Sequence, residues 1–511
     1  VTYADLYDPA APPGPPADPP PGDPPPGDPP AGSPPPPPAA APDRRRPIDR
    51  GTVRLVLVAL ASGVAIDIGL RGGPANAVVV GGLVLATLAL VTDDFVERPE
   101  ARALALAALL PVAFLAVRVS PWLIAANLAA AGALAGAAIC LAQSGSLLDT
   151  TPLRLVRRAT AALVRAVLGL AVLRPLLPQG PSSAAAERAR RLALALAITV
   201  PLLLVVVALL ASADAVFAGL LVPDVELGPT LGHVVLTTIV AAGVVCAVAA
   251  ARGDSDDAGP AGRFGTIEIA TMLGLVTVVM ALFAVAQLVA VTSAGDRLVE
   301  EAGLTPAEYA RSGFFQLCWA VGLIVAFLAL VRGLAAPGVL DRPAMRALAA
   351  AVPLLALGLV AVSLRRMALY DEAFGLTMLR LAVVGAAVWM GVVLLLIAAR
   401  DLGVGAGRDW VVGGATIAAL VVVLVADVAN PEAFVVHHNV DRAAHGAELD
   451  AGYLLDLSDD ALPAYAEALS EATPALRARL GYGPLCDDQL TGVADLNLSA
   501  ARADDTRADL C

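Results

Sequence analysis

Between residues 53 and 429 the chain alternates long apolar runs with short polar breaks, and eleven of the runs are each about long enough to cross a bilayer. A hydrocarbon core of about 30 Å takes roughly 20 apolar residues in a helix, and backbone groups inside it have no water to bond. The pattern therefore predicts an all-α, polytopic transmembrane bundle. The predicted spans are residues 53–70, 75–92, 101–117, 119–142, 192–212, 230–251, 266–293, 314–334, 347–364, 377–399 and 410–429. Past the last span the period changes. Leu454, Leu455, Leu457, Leu462, Tyr465, Leu469 and Leu476, spaced by polar residues, predict two short amphipathic helices that part near Pro474.

Composition agrees with a lipid environment: 58% of residues are hydrophobic, only 16% are charged and the mean hydropathy is +0.76. Every one of the 34 basic residues is arginine, which with the wealth of Ala, Gly and Val suggests a GC-rich bacterial genome. Residues 1–50 are a different material, with Gly-Asp-Pro-Pro-Pro repeats and a five-proline run from Pro34 to Pro38. Proline removes backbone donors and fixes φ, so this arm is expected to be disordered or polyproline II.

Arginine placement orients the bundle, because short cytoplasmic loops carry the excess of positive charge. Arg44, Arg45, Arg46 and Arg50 precede the first span and place the N-terminus in the cytoplasm of a plasma-membrane protein. Four spans (51–142) return the chain inside at 143–191, where Arg154, Arg157, Arg158, Arg165, Arg174, Arg188, Arg190 and Arg191 gather. Within that loop, residues 153–177 read as an interfacial helix in the headgroup layer, the alternative being a twelfth span or a re-entrant pair. Seven further spans (192–429) make an odd total and leave the tail, 430–511, extracytoplasmic. From Pro431 onward 15 Asp and Glu face 5 Arg, an acidity that argues against nucleic-acid binding. The tail either docks a partner or packs on the membrane domain.

Cys140, Cys246 and Cys318 fall within spans as small packing residues, whereas Cys486 and Cys511 lie in the tail, where an oxidising exterior permits a disulfide. No CxxC or Cys/His metal spacing is present, and neither a metal nor a cofactor is expected.

Three stretches rise above generic membrane composition. In residues 304–317, Thr305, Pro306 and Glu308 form a capping box, and Glu308 and Arg311 share a helix face at the outer boundary. Residues 365–380 read as an outside loop with Arg365, Arg366, Arg380, Asp371 and Glu372. Arginine on that side breaks the charge rule, so either the two carboxylates pair with the arginines or the arginines bind an anionic headgroup. In residues 430–445, Asn430 and Pro431 start a helix, with Phe434, Val435 and Val440 placed to rest on the lipid surface. His437, His438 and His445 with Glu432 and Asp441 invite a metal reading, but adjacent histidines diverge on a helix.

These strings, Glu-Tyr-Ala-Arg-Ser-Gly-Phe-Phe-Gln-Leu, Leu-Tyr-Asp-Glu-Ala-Phe-Gly-Leu-Thr-Met-Leu-Arg and Asn-Pro-Glu-Ala-Phe-Val-Val-His-His-Asn-Val-Asp-Arg, resemble those of the bacterial membrane families called domain of unknown function 4153 and 4173. The likeness covers residues 188–463. It implies a membrane topology and no established activity, and the histidines at 437 and 438 depart from the family pattern.

On the predicted topology Asp67, His233, Gln287, Gln316, Arg380 and Asp427 all fall toward the outer half of their spans. Charge inside a bilayer is costly, so these side chains are expected to face one another, water or headgroups. With Glu308, Arg311, Arg365, Arg366, Asp371, Glu372, Asn439, Asp441 and Arg442 they form a candidate outer polar cluster, either lining an outward-open pocket or pairing and snorkelling. Three function classes follow: a non-enzymatic envelope sensor or scaffold acting through the outer face, a transporter of a small solute or lipid, and a membrane enzyme on a lipid-linked substrate with Glu308 or Asp371 as base. The expected partners are membrane lipids, with no nucleic acid, and the sequence names no protein partner.

Overall fold

A computed structural model describes residues 50–92, 98–168, 229–251, 264–290, 314–405, 408–481 and 496–510. Their regular elements are all helical. In chain order they are α1 (Arg50–Leu70), α2 (Ala77–Val91), α3 (Pro99–Ala107), α4 (Leu109–Phe114), α5 (Pro121–Cys140), α6 (Pro152–Leu168), α7 (Pro229–Ala251), α8 (Thr266–Ala290), α9 (Phe314–Leu334), α10 (Pro343–Phe374), α11 (Met378–Asp401), α12 (Val411–Ala429), α13 (Pro431–Ala444), α14 (Ala451–Leu455), α15 (Leu462–Glu471), α16 (Pro474–Leu480) and α17 (Leu498–Leu510). The proline arm, the expected span 192–212, Glu308, Arg311, Cys486 and Cys511 lie outside the described residues, as do the side chains of Gln287, Gln316, Cys246 and Cys318.

Five of these helices, α5, α10, α11, α12 and the Val53–Leu70 part of α1, are long and apolar enough to cross a membrane. Shorter apolar helical stretches occupy Ala77–Val91, Leu236–Val245, Thr266–Leu282 and Ala320–Leu334. The chain is thus a membrane-embedded helical protein. The expected single span at 101–117 is instead two short helices, α3 and α4, that part at Ala108. α6 is not among the five; it is amphipathic, with Leu153 and Val156 exposed while Arg158 is buried and donates to the carbonyl of Ser144.

Two packed cores run through the bundle. Leu55 and Ala59 of α1, Leu90 of α2, Ala101 of α3 and Val245 and Val248 of α7 are buried together. Ile269 and Leu273 of α8, Val321 and Leu328 of α9, Val352 of α10 and Leu394 of α11 form the second. Helices approach closely where side chains are small: Ser62 donates to the Gly82 carbonyl at 2.7 Å, and a Cβ on Gly82 would collide with Ile66. The α1–α2 turn is held by Asn76, which accepts from the amides of Val78 and Val79 and donates to the Gly69 carbonyl.

Residues 365–374, expected to be an outside loop, are the last turns of α10. Nothing from Arg365 to Phe374 breaks a helix, and the chain turns only at Gly375, whose φ of 77° ends it. With 32 residues, α10 runs about 48 Å at 1.5 Å per residue and overshoots a hydrocarbon core of about 30 Å.

The overshoot carries a cap. Val435 and Val436 of α13, Leu454 of α14, Tyr465 and Leu469 of α15 and Leu480 of α16 share a third core with Leu376 and Met378. The expected pair of tail helices parting near Pro474 is present as α15 and α16; α14 and α17 were not anticipated. Val435, expected to face lipid, is fully buried in this core, while Phe434 is 52% exposed. Backbone bonds from Ala77 to Leu496 and from Leu498 to Ala116 stitch the approach to α17 onto the turns after α1 and α4.

Candidate functional site: a polar clamp beneath the cap

The second and third sequence motifs meet. At the α10–α11 turn, Asn439 of α13 accepts from the amide of Leu376 and donates to its carbonyl, both at 2.8 Å. Arg442 donates to the carbonyl of Glu372 at 2.6 Å, and Arg380 donates to the carbonyl of Gly375. The Arg380 guanidinium also lies 4.2 Å from the Tyr370 ring centroid. Thr377 caps α11, and Tyr453 of α14 accepts from the Met378 amide at 2.7 Å. Gly375 is required here, since a Cβ would strike the Asn439 amide and the Arg442 guanidinium.

A buried carboxylate network lies beside this clamp. Asp460 accepts from the amides of Val119 and Ser120 at 3.1 and 2.8 Å, and from the Ser499 hydroxyl. Two amides at the entry to α5 thus receive a negative charge. Arg118 approaches Asp460 at 3.8 Å and donates to the Asp427 carbonyl at 2.7 Å. Glu432 accepts from the amide and hydroxyl of Ser458 at 2.9 and 2.6 Å. Asp427 accepts from the Asn127 amide at 2.8 Å, joining α12 to α5. Asn430, with φ of 51°, caps α13 and donates to the Asp460 carbonyl. Asn497 donates to the carbonyls of Ala75, Leu115 and Arg118 and receives the Ser499 amide. Burial pushes the Glu432 carboxyl above its ordinary value, against the hydrogen bonds from Ser458; burial does the same to Asp459, against Arg507.

The candidate outer cluster divides into separate sets. Asp67 pairs with His233 at 2.8 Å and Arg71 at 2.9 Å, Asp427 with Asn127, and Asp371 with His438 at 3.1 Å. No hydrogen bond or ion pair among the described residues joins Asp67, Asp427 and Asp371 to one another. Of the two arrangements expected, pairing of the Asp371 and Glu372 carboxylates with the arginines is not found among the described residues: Asp371 takes a histidine, and it is the main-chain oxygen of Glu372 that meets Arg442. Arg365 is exposed and Arg366 half-buried on α10. His437 and His445 turn to Glu467 and Asp441, so the three histidines have three different carboxylates, and no metal-holding group of three occurs among the described residues. A cavity at this end, about 300 Å³, is lined by apolar side chains of α5, α11 and α12 in place of the polar residues proposed for an outward pocket.

Sequence reasoning passed over Arg118, Asn127, Ser458, Asp460 and Asn497. Arg118 and Asn127 carry a visible signal, being polar residues in apolar surroundings, and Asn497 precedes Leu-Ser-Ala-Ala as a cap would. Asp460 has none, since its partners lie 340 and 341 positions away.

A family model described as Domain of unknown function (DUF4153) matches residues 103–468. The match begins inside α3 and so takes in α4, α5 and α6, beyond the stretch over which the motifs were read. No curated protein and no solved structure matches the chain. The clamp residues Arg380, Asn439 and Arg442, together with Glu432 and Asp460, all fall within the matched stretch, and the chain belongs to the DUF4153 family.

Proposed function

We propose that this protein is a non-enzymatic envelope scaffold or sensor that works through its cap, on the extracytoplasmic side of the plasma membrane. The supporting observation is how the family motif residues are used. Arg380, Asn439 and Arg442 bond main-chain groups of the α10–α11 turn, and Asp460 bonds the entry to α5. Such contacts set the position of a cap over the spans. The exposed face of that cap carries Glu448, Asp450, Glu467 and Glu471, a surface suited to a basic partner segment. The test is complementation of a deletion strain. Reversal of Glu467 and Glu471 to Arg should abolish rescue at normal abundance, whereas full rescue would refute a partner-facing cap.

Transport of a lipid or small apolar solute is the second reading, favoured by the cavity between α5, α11 and α12. Uptake or lipid movement in vesicles holding the purified protein tests it directly.

A further inference from the structure

The cavity between α5, α11 and α12 begins at the cap, where Trp122, Met378 and Pro431 border it, and runs down to Trp389 and Ala419. Each of its three long walls is a helix long and apolar enough to cross a membrane, so the space lies at bilayer depth. From Met378 to Trp389 the α11 wall extends roughly 16 Å at 1.5 Å per residue, about half of a hydrocarbon core of roughly 30 Å. That is the depth of one leaflet. The indole N–H of Trp389 is already spent on the Ala415 carbonyl at 2.9 Å, which leaves the indole N–H of Trp122, at the cap end, as the one side-chain N–H or O–H donor among the lining residues.

The space is also open sideways. Trp122, Ala382 and Ala386, which line it, are exposed. Packing does not fill it: a Cβ on Gly385 would meet only Val422, at 3.8 Å. We propose that this groove holds one acyl chain of a phospholipid from the cap-side leaflet. Hydrocarbon is the matching chemistry, it is present at that depth, and the groove has the volume of a small ligand site, about 300 Å³.

The test uses the full chain, reduced to a single tryptophan by Trp122→Phe, Trp319→Phe and Trp410→Phe, in vesicles of phosphatidylglycerol with and without bromine on the acyl chains. Bromine quenches an indole it touches, so Trp389 should lose most of its emission in brominated vesicles. Filling the groove from either wall, by Gly385→Leu or Ala419→Leu, should cut that quenching at least about two-fold in a protein of unchanged helicity. Two outcomes overturn the proposal. One is a Trp389 that brominated lipid does not quench, as when a second copy of the chain covers the groove. The other is quenching that stays the same in whichever filled variant reconstitutes.

Discussion

The side chain of Asn439 and the main chain of Leu376 pair as neighbouring strands do, with one hydrogen bond in each direction. Both residues are buried, so neither bond has water as a substitute. Asn439→Ala would strand an amide and a carbonyl at a cost of about 1–3 kcal/mol each. The expected result is a clear drop in thermal stability of the purified protein in detergent. An unchanged melting temperature would show that the clamp does not hold the α10–α11 turn.

Gly375→Ala attacks the same turn from the other side. Its φ of 77° disfavours a side chain by about 1–3 kcal/mol, and the added methyl would displace Asn439 and Arg442. The loss should equal or exceed that of Asn439→Ala. The double variant should lose much less than the sum, because both changes disrupt one contact. Strict additivity in the double variant would separate the two.

The bundle itself was legible because hydrophobic run length is a local property: α5, α11 and α12 all fall on predicted spans. So was the cap at Asn430, which depends on a residue and its neighbours up to three positions on. What escaped was one helix end and the long-range pairing. Residues 365–374 look like a charged loop when charge is weighed against topology, yet they are good helix formers with no breaker before Gly375. The destination of each arginine could not be read either, since Arg380 and Arg442 bond carbonyl oxygens, which every residue possesses.

Asp460 is the tie between cap and N-terminal helices. Its carboxylate receives the Val119 and Ser120 amides just before α5 and the Ser499 hydroxyl, with Arg118 nearby. Hydrogen bonds to a charged group contribute about 1.5–3 kcal/mol. Asp460→Ala should therefore loosen α13 to α17 while leaving the spans intact. Hydrogen exchange would show this as faster labelling of residues 431–481 and 496–510 with the protection of α10 and α11 unchanged. Uniform protection in the variant would remove Asp460 from that role.

Glu432 makes the stability of the cap depend on pH. An unfolded glutamate titrates at about 4.5, and burial holds the folded group above that ordinary value. A raised folded value gives stability that is full below the unfolded value and lost as pH rises through the folded one. Asp459 has the same sign. Mild acidification from neutrality should thus raise the melting temperature of the cap until other groups protonate. Glu432→Gln, which keeps an acceptor for Ser458, should flatten the dependence in that window. A slope identical to wild type would rule Glu432 out as its source.

Asn127 and Asp427 give the most direct test of the α5–α12 junction. The pair is buried, with one bond between the two side chains and with Asn127 Oδ1 and Asp427 Oδ2 lacking any other protein partner. Removing one member leaves a polar group in an apolar interface at a cost of about 1–3 kcal/mol, whereas removing both leaves no orphan. Asn127→Leu and Asp427→Leu should each destabilise the protein in mixed-micelle unfolding. The double Leu variant should be more stable than either, with a coupling energy of about 1–3 kcal/mol. If the losses simply add, the pair is not what joins the two helices. Arg118, which reaches the Asp427 carbonyl and Asp460, would then be the next side chain to truncate.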